Sequence, residues 1–106
     1  MHNQFVIRYQ THPEDADLNE QLIRDVFAEL ADQQPADLEY AVYRLEDGQT
    51  FIHLFSSAEG SDALTALPAF QRFSDGAAAR HEAPAERQSA HLVGRYAADS
   101  FDSARA

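Results

Sequence analysis

The sequence predicts an α+β fold in which two helices pack on one face of a four-stranded antiparallel sheet. Three observations predict it. Four runs of β-branched and aromatic residues alternate with two helical patterns in the order β-α-β-β-α-β. Asp47-Gly48 falls between the second and third of these runs, a good hairpin signal. The chain has 106 residues, 44% hydrophobic and 10% aromatic, which suffices for one core and not for two.

Each element has its own warrant. Residues 4–10 (QFVIRYQ) read as the first strand, broken by Thr11-His12-Pro13-Glu14-Asp15. Over 17–33, Leu18, Leu22, Ile23, Val26, Phe27 and Leu30 recur at steps of three and four, one apolar stripe of a helix. Asp17 and Glu20 form a capping-box-like start, Glu20 and Arg24 an i,i+4 pair, and Pro35 the stop. Residues 38–45 and 49–56 are the hairpin strands. A loop over 57–61 leads to Asp62 as a helix cap and a short helical turn over 63–67. Pro68 opens the second helix, which carries Phe70, Phe73 and Ala77 inward. Residues 87–97 are the last strand. The reading is one domain over 1–98, with 99–106 a mobile tail.

This order is the ferredoxin-like split βαβ arrangement, whose sheet is antiparallel and ordered 4-1-3-2. With helices on one face, the other face should be polar if it meets water. It is not. Ile52 and Leu54 oppose Phe51, His53 and Phe55; Val6 opposes Phe5, Ile7 and Tyr9; Ala41, Tyr43 and Leu45 oppose Tyr40 and Val42. Leaving such a face wet forfeits about 1.5–3 kcal/mol per large side chain, so the sequence predicts a covered second face. A homodimer closing two sheets into a barrel satisfies this and leaves a cavity in each protomer.

Composition excludes several chemistries. There is no cysteine, so no disulfide, thiolate metal site or cysteine nucleophile. All basic residues are Arg, which excludes a lysine Schiff base and a P-loop lysine. A net charge of -10 repels phosphate backbones and makes nucleic acid a poor partner. The N-terminal apolar run, Phe5 to Ile7, is too short for a secretory signal or a membrane span, and the expectation is a soluble cytoplasmic protein with no membrane partner. High Ala and Arg without Lys fit a GC-rich bacterial genome, and an acidic, lysine-free surface also fits salt adaptation. GxSxG and Gly-rich phosphate loops are absent.

The βαββαβ order and the segment Leu67-Pro68-Ala69-Phe70-Gln71-Arg72-Phe73 resemble the dimeric α+β barrel proteins, most of all those of the antibiotic biosynthesis monooxygenase type. The resemblance spans residues 4–97. It implies the fold and a homodimer more strongly than a chemistry, because Pro-Ala-Phe is a helix-start and packing feature. Members include cofactor-independent monooxygenases acting on polycyclic phenols, haem-degrading enzymes and many small proteins with no assigned activity. The haem-degrading branch relies on a Trp within an Asn/Trp/His set, and this chain has no Trp.

His53 is the candidate catalytic residue. On the aromatic face between Phe51 and Phe55, it suits a proton acceptor for a phenolic substrate, or a histidine satisfied by a hydrogen bond at a dimer interface. Tyr9, Tyr40, Phe51 and Phe55 are candidate walls of an aromatic pocket. His91 and Arg95, with Arg8 on the neighbouring first strand, are candidate anion holders, or simply partners of surface acids. No cofactor is expected. No metal is expected either: the histidines lack ligand spacing, and His53 and His91 would stand about 9–10 Å apart across the first strand. A small aromatic or apolar ligand is the expected partner. The competing readings are a monooxygenase-like enzyme, a non-catalytic binding protein and a structural homodimer.

Overall fold

Strand β1 (His2–Gln10) occupies the middle of the sheet, as its bulky residues on both faces require. The computed structural model describes residues 2–58 and 62–98. Beside β1 runs β3 (Thr50–Ala58), antiparallel, from the pair His2–Ala58 to the pair Gln10–Thr50. β2 (Leu38–Arg44) pairs with β3, and β4 (Glu86–Ser89) with the other edge of β1. The order is β2-β3-β1-β4, the expected 4-1-3-2 order read from the opposite edge. The fold is α+β and ferredoxin-like.

The β2–β3 hairpin turns where the sequence placed it. Gly48 takes a left-handed φ of 75°, and the Asp47 carboxylate accepts the backbone N–H groups of Gln49 and Thr50 at 2.9 and 2.8 Å. Register then puts Phe5, Phe55 and Tyr40 in one row across the sheet, with Ile7, His53 and Val42 in the next. Both rows lie under the helices.

Helix α1 (Ala16–Gln33) follows a short 3-10 turn over Pro13–Asp15. Ile23 and Val26 are buried, with Leu22, Phe27 and Leu30 packed against the same core. Two expectations need correction. Leu18 is 52% exposed, and Asn19 takes the buried position at the head of the stripe. The capping box does not form, because the Glu20 carboxylate pairs with Arg24 and Arg44, each at 2.7 Å. The helix ends at Gln34, left-handed with φ 47°, whose N–H is donated to the Leu30 carbonyl just before Pro35.

Pro68 opens α2 (Pro68–Asp75), and the Ala69 N–H of its first turn is donated to Glu29 of α1 at 2.8 Å. Phe73 is buried, Phe70 half-buried. A four-residue helix, α3 (Ala77–Arg80), returns the chain to the sheet. The last strand is much shorter than the predicted 87–97. After Ala90 donates its N–H to the Gln4 carbonyl, residues 91–98 leave the ladder. Strand propensity reflects fit to a half-buried surface, and this segment finds none among the described residues: Leu92, Val93 and Tyr96 are 58%, 91% and 91% exposed. The predicted tail over 99–106, with Phe101, lies outside the described residues. No helix among them is long and apolar enough to cross a membrane.

Candidate functional site

His53 is buried at the centre of the sheet with both ring nitrogens engaged by tyrosines. The Tyr9 hydroxyl lies 2.7 Å from Nε2 and the Tyr40 hydroxyl 2.7 Å from Nδ1. Register explains this grip. Tyr9 pairs with Phe51 and Tyr40 with Phe55, so the two hydroxyls reach His53 diagonally from opposite sides. Burial, reinforced by nearby His81, pushes the imidazole down to about 4, so it is neutral at pH 7. Burial raises Tyr9 to about 12 despite the Asn19 hydrogen bond and Arg80, and raises Tyr40 as well, with Tyr9 adding a smaller push. All three groups are uncharged near neutrality.

Behind Tyr9 the polar chain continues. Asn19 donates from Nδ2 to the Tyr9 oxygen at 3.0 Å, and Arg80 donates from Nε to Asn19 Oδ1 at 2.9 Å. Arg80 is itself buried. Its Nη2 donates to the Phe73 carbonyl at 2.6 Å, and its guanidinium lies 5.2 Å over the Phe73 ring. None of the ion pairs among the described residues includes it. Gly76 makes room, since a Cβ there would stand 2.9 Å from Arg80 Nη1.

In front of His53 is a cavity of about 280 Å³. The sheet contributes Phe5, Ile7, Tyr9, Tyr40, His53 and Phe55. The covering layer contributes Leu64, Phe70, Phe73, Ala77 and His81. The walls are mainly apolar and aromatic, with a few polar tips, which suits a flat ring carrying one or two oxygen atoms. His81 stacks on Tyr9 at 4.1 Å between centroids, and its buried Nε2 has no partner among the described residues. No group of three His, Cys, Asp or Glu among those residues could share a metal ion.

No family model matches the sequence, and the comparison with curated proteins returned no match. The fold, however, has close counterparts. A protein of Nitrosomonas europaea provisionally named an antibiotic biosynthesis monooxygenase superposes with a TM-score of 0.71 at 9% identity, over 87% of this chain and 90% of that one. One from Caulobacter crescentus with the same provisional name gives 0.70 at 14%, over 88% and 91%. SnoaB of Streptomyces nogalater, a cofactor-independent oxygenase, gives 0.64 at 16%, over 89% and 95%. The chain has the antibiotic biosynthesis monooxygenase fold.

Within that fold the expected site residues separate into two groups. Tyr9, Tyr40, His53 and Phe55 come together at the cavity. Phe51 is fully buried behind it, stacked on Tyr9 at 5.7 Å, and is absent from the cavity wall. Arg8 lies on the opposite face of the sheet, because it neighbours Ile7 and Tyr9 in a strand whose side chains alternate. His91 is exposed beyond the end of β4. Arg95 donates to Glu39 at 2.6 Å on the surface. The arginine that reaches the cavity is Arg87, which lies 4.0 Å over the Phe5 ring. It shares the parity of His91 and Arg95 in the predicted strand, so the same alternation, applied four residues earlier, points to it. Asn19 also left a signal, as a polar residue four positions before Ile23 on the apolar stripe. Arg80 left none.

Proposed function

We propose that this protein binds a flat aromatic or polyketide-like substrate in the His53 cavity and oxidises it with dioxygen without a cofactor. The observation that carries the reading is His53 clasped between the Tyr9 and Tyr40 hydroxyls at the wall of an aromatic cavity. In such chemistry the substrate anion itself reduces dioxygen, and the protein binds the ring, stabilises its oxyanion and excludes bulk water. Both ring nitrogens of His53 are occupied, so His53 acts on the substrate through Tyr40 rather than by direct contact. Phe55, Phe70 and Phe73 hold the ring.

Anthrone is a suitable probe, since its enolate is an aromatic oxyanion. One anthrone and one dioxygen give anthraquinone and water. Oxygen uptake in that ratio, in chelator-treated buffer, with loss of activity in Tyr40→Phe, is the expected result. The absence of both binding and uptake with anthrone and related hydroxylated tricycles overturns the reading.

One feature favours a second reading, binding without turnover: a neutral imidazole already satisfied on both sides needs no substrate proton. Tight binding of tricyclic phenols with no oxygen consumption identifies that case.

We further propose a homodimer. Val6, Ala41, Tyr43, Ile52 and Leu54 form a contiguous apolar patch on the face away from the helices, with Leu54 40% and Tyr43 52% exposed. A second copy covering that face also offers the arm over 91–98 the surface it lacks among the described residues of its own chain.

A further inference from the structure

We propose that Arg80 and Asn19, neither of which lines the cavity, set the direction of the hydrogen bonds through Tyr9 and His53. The Tyr40 hydroxyl thereby presents its proton to the cavity and selects a ligand that accepts a hydrogen bond there, a carbonyl or an oxyanion. The proposal rests on the reading above only in taking the cavity as a ligand site, and not on turnover.

The direction follows from donor counting. A guanidinium has only donors. The Asn19 atom 2.9 Å from Arg80 Nε is therefore the carbonyl oxygen, which turns the amide NH2 toward Tyr9. The Tyr9 oxygen accepts that N–H, and its own proton has one acceptor in reach among the described residues, His53 Nε2 at 2.7 Å. The neighbouring His81 Nε2 makes no hydrogen bond to it. With Nε2 accepting, the imidazole proton sits on Nδ1 and is donated to the Tyr40 oxygen at 2.7 Å. The Tyr40 proton is then left to face the cavity that Tyr40 lines. The opposite direction would bring two donors to the Tyr9 oxygen and strand its buried O–H without an acceptor. That disfavours the other tautomer by roughly 10- to 100-fold. Arg80 holds the far end still, through the Phe73 carbonyl, the Phe73 ring and the space left by Gly76.

Asn19→Asp should reverse the whole chain with little change of shape. The carboxylate accepts from Arg80, a buried cation with no acidic partner among the described ion pairs, and it also accepts from Tyr9. Tyr9 must then receive Nε2–H, Tyr40 must donate to Nδ1, and the cavity meets a Tyr40 lone pair. Imidazole nitrogen NMR of the ligand-free protein is expected to show His53 protonated on Nδ1 in the wild type and on Nε2 in Asn19→Asp. Binding of two matched tricycles gives the second readout: 9-fluorenone, which only accepts, and carbazole, which only donates. The wild type should prefer fluorenone by about tenfold, and Asn19→Asp should prefer carbazole by a similar factor. Tyr40→Phe should show neither preference.

Nε2–H in the wild type, or an unchanged tautomer in folded Asn19→Asp, overturns the proposal. If Asn19→Asp does not fold, Tyr9→Phe serves instead: the tautomers should mix and the preference should fall several-fold, and no change in either overturns it. Correct tautomers with neither tricycle bound overturn the selectivity and the pocket reading together. Correct selectivity without oxygen uptake supports this proposal and overturns turnover alone.

Discussion

The Tyr9 hydroxyl and His53 Nε2 meet at 2.7 Å although 44 positions separate them in the chain. They meet because β1 and β3 are adjacent, antiparallel and in a register that pairs Tyr9 with Phe51, which leaves His53 one diagonal step away. The polar centre is thus built on the best-paired strands of the sheet and not on loops. Sites held by strands keep their geometry more tightly than sites held by loops.

Removing the Tyr9 hydroxyl should cost more than removing that of Tyr40. Tyr9→Phe keeps the stacking on Phe51 and His81 but strands buried Asn19 Nδ2 and His53 Nε2, a loss of about 2 kcal/mol. Tyr40→Phe frees His53 Nδ1 at the half-buried cavity wall, where water can replace the hydroxyl, and should cost about 1 kcal/mol or less. Urea unfolding of both variants checks the order. Equal losses would mean that the network is not anchored at its buried end.

Stability should fall as pH drops from about 6.5 to about 4. Burial holds His53 at about 4 when folded, against the usual 6.5, so within that window the unfolded chain binds a proton that the folded chain refuses. Above the window this effect is absent. Across it, the loss approaches about 3 kcal/mol, at about 1.4 kcal/mol per pH unit. Burial lowers His81 too, which acts in the same direction. Urea midpoints at a series of pH values should show the decline in the wild type and a shallower one in His53→Phe. Parallel curves would remove His53 as the cause.

The fold was legible because it depends on patterns that a sequence carries openly. Periodicity gave the long helix, Asp47-Gly48 gave the hairpin, and alternation gave the two faces. The gathering of Tyr9, Tyr40, His53 and Phe55 follows from those faces once the strand order is known. What stayed hidden depended on partners far apart in the chain. Asn19 falls on the apolar stripe, but its partner Arg80 comes 61 positions later, and no local pattern encodes that pairing. The shortening of β4 has a similar cause: Leu92, Val93 and Tyr96 look strand-like, but no surface among the described residues covers them.

Phe51 and Phe55 lie four residues apart on one face, yet their truncations should differ in kind. Phe51 is 1% exposed and packs in the core, so Phe51→Ala should cost about 3–5 kcal/mol. Phe55 is half-buried at the cavity, so Phe55→Ala should destabilise less and weaken ligand binding more. Paired thermal melts and tricycle titrations separate the two. A ligand affinity lost in neither variant would place the ring elsewhere.

The apolar face away from the helices gives the last expectation. Leu54 pairs with Val6 on one side and Ala41 on the other, and Ile52 with Tyr43, so these side chains form a single patch. Burying Leu54 against a second copy recovers about 1.5–3 kcal/mol for each protomer, and a charge at the same place loses that and adds desolvation. Sedimentation of the wild type should therefore report twice the 11.8 kDa mass of one chain. Leu54→Glu should sediment as a monomer with its circular dichroism unchanged. Arg24→Ala, which removes an exposed pair with Glu20 on the helix side of the sheet, should leave the dimer intact. A wild-type monomer at high micromolar concentration would leave the patch without its second copy and refute the dimer.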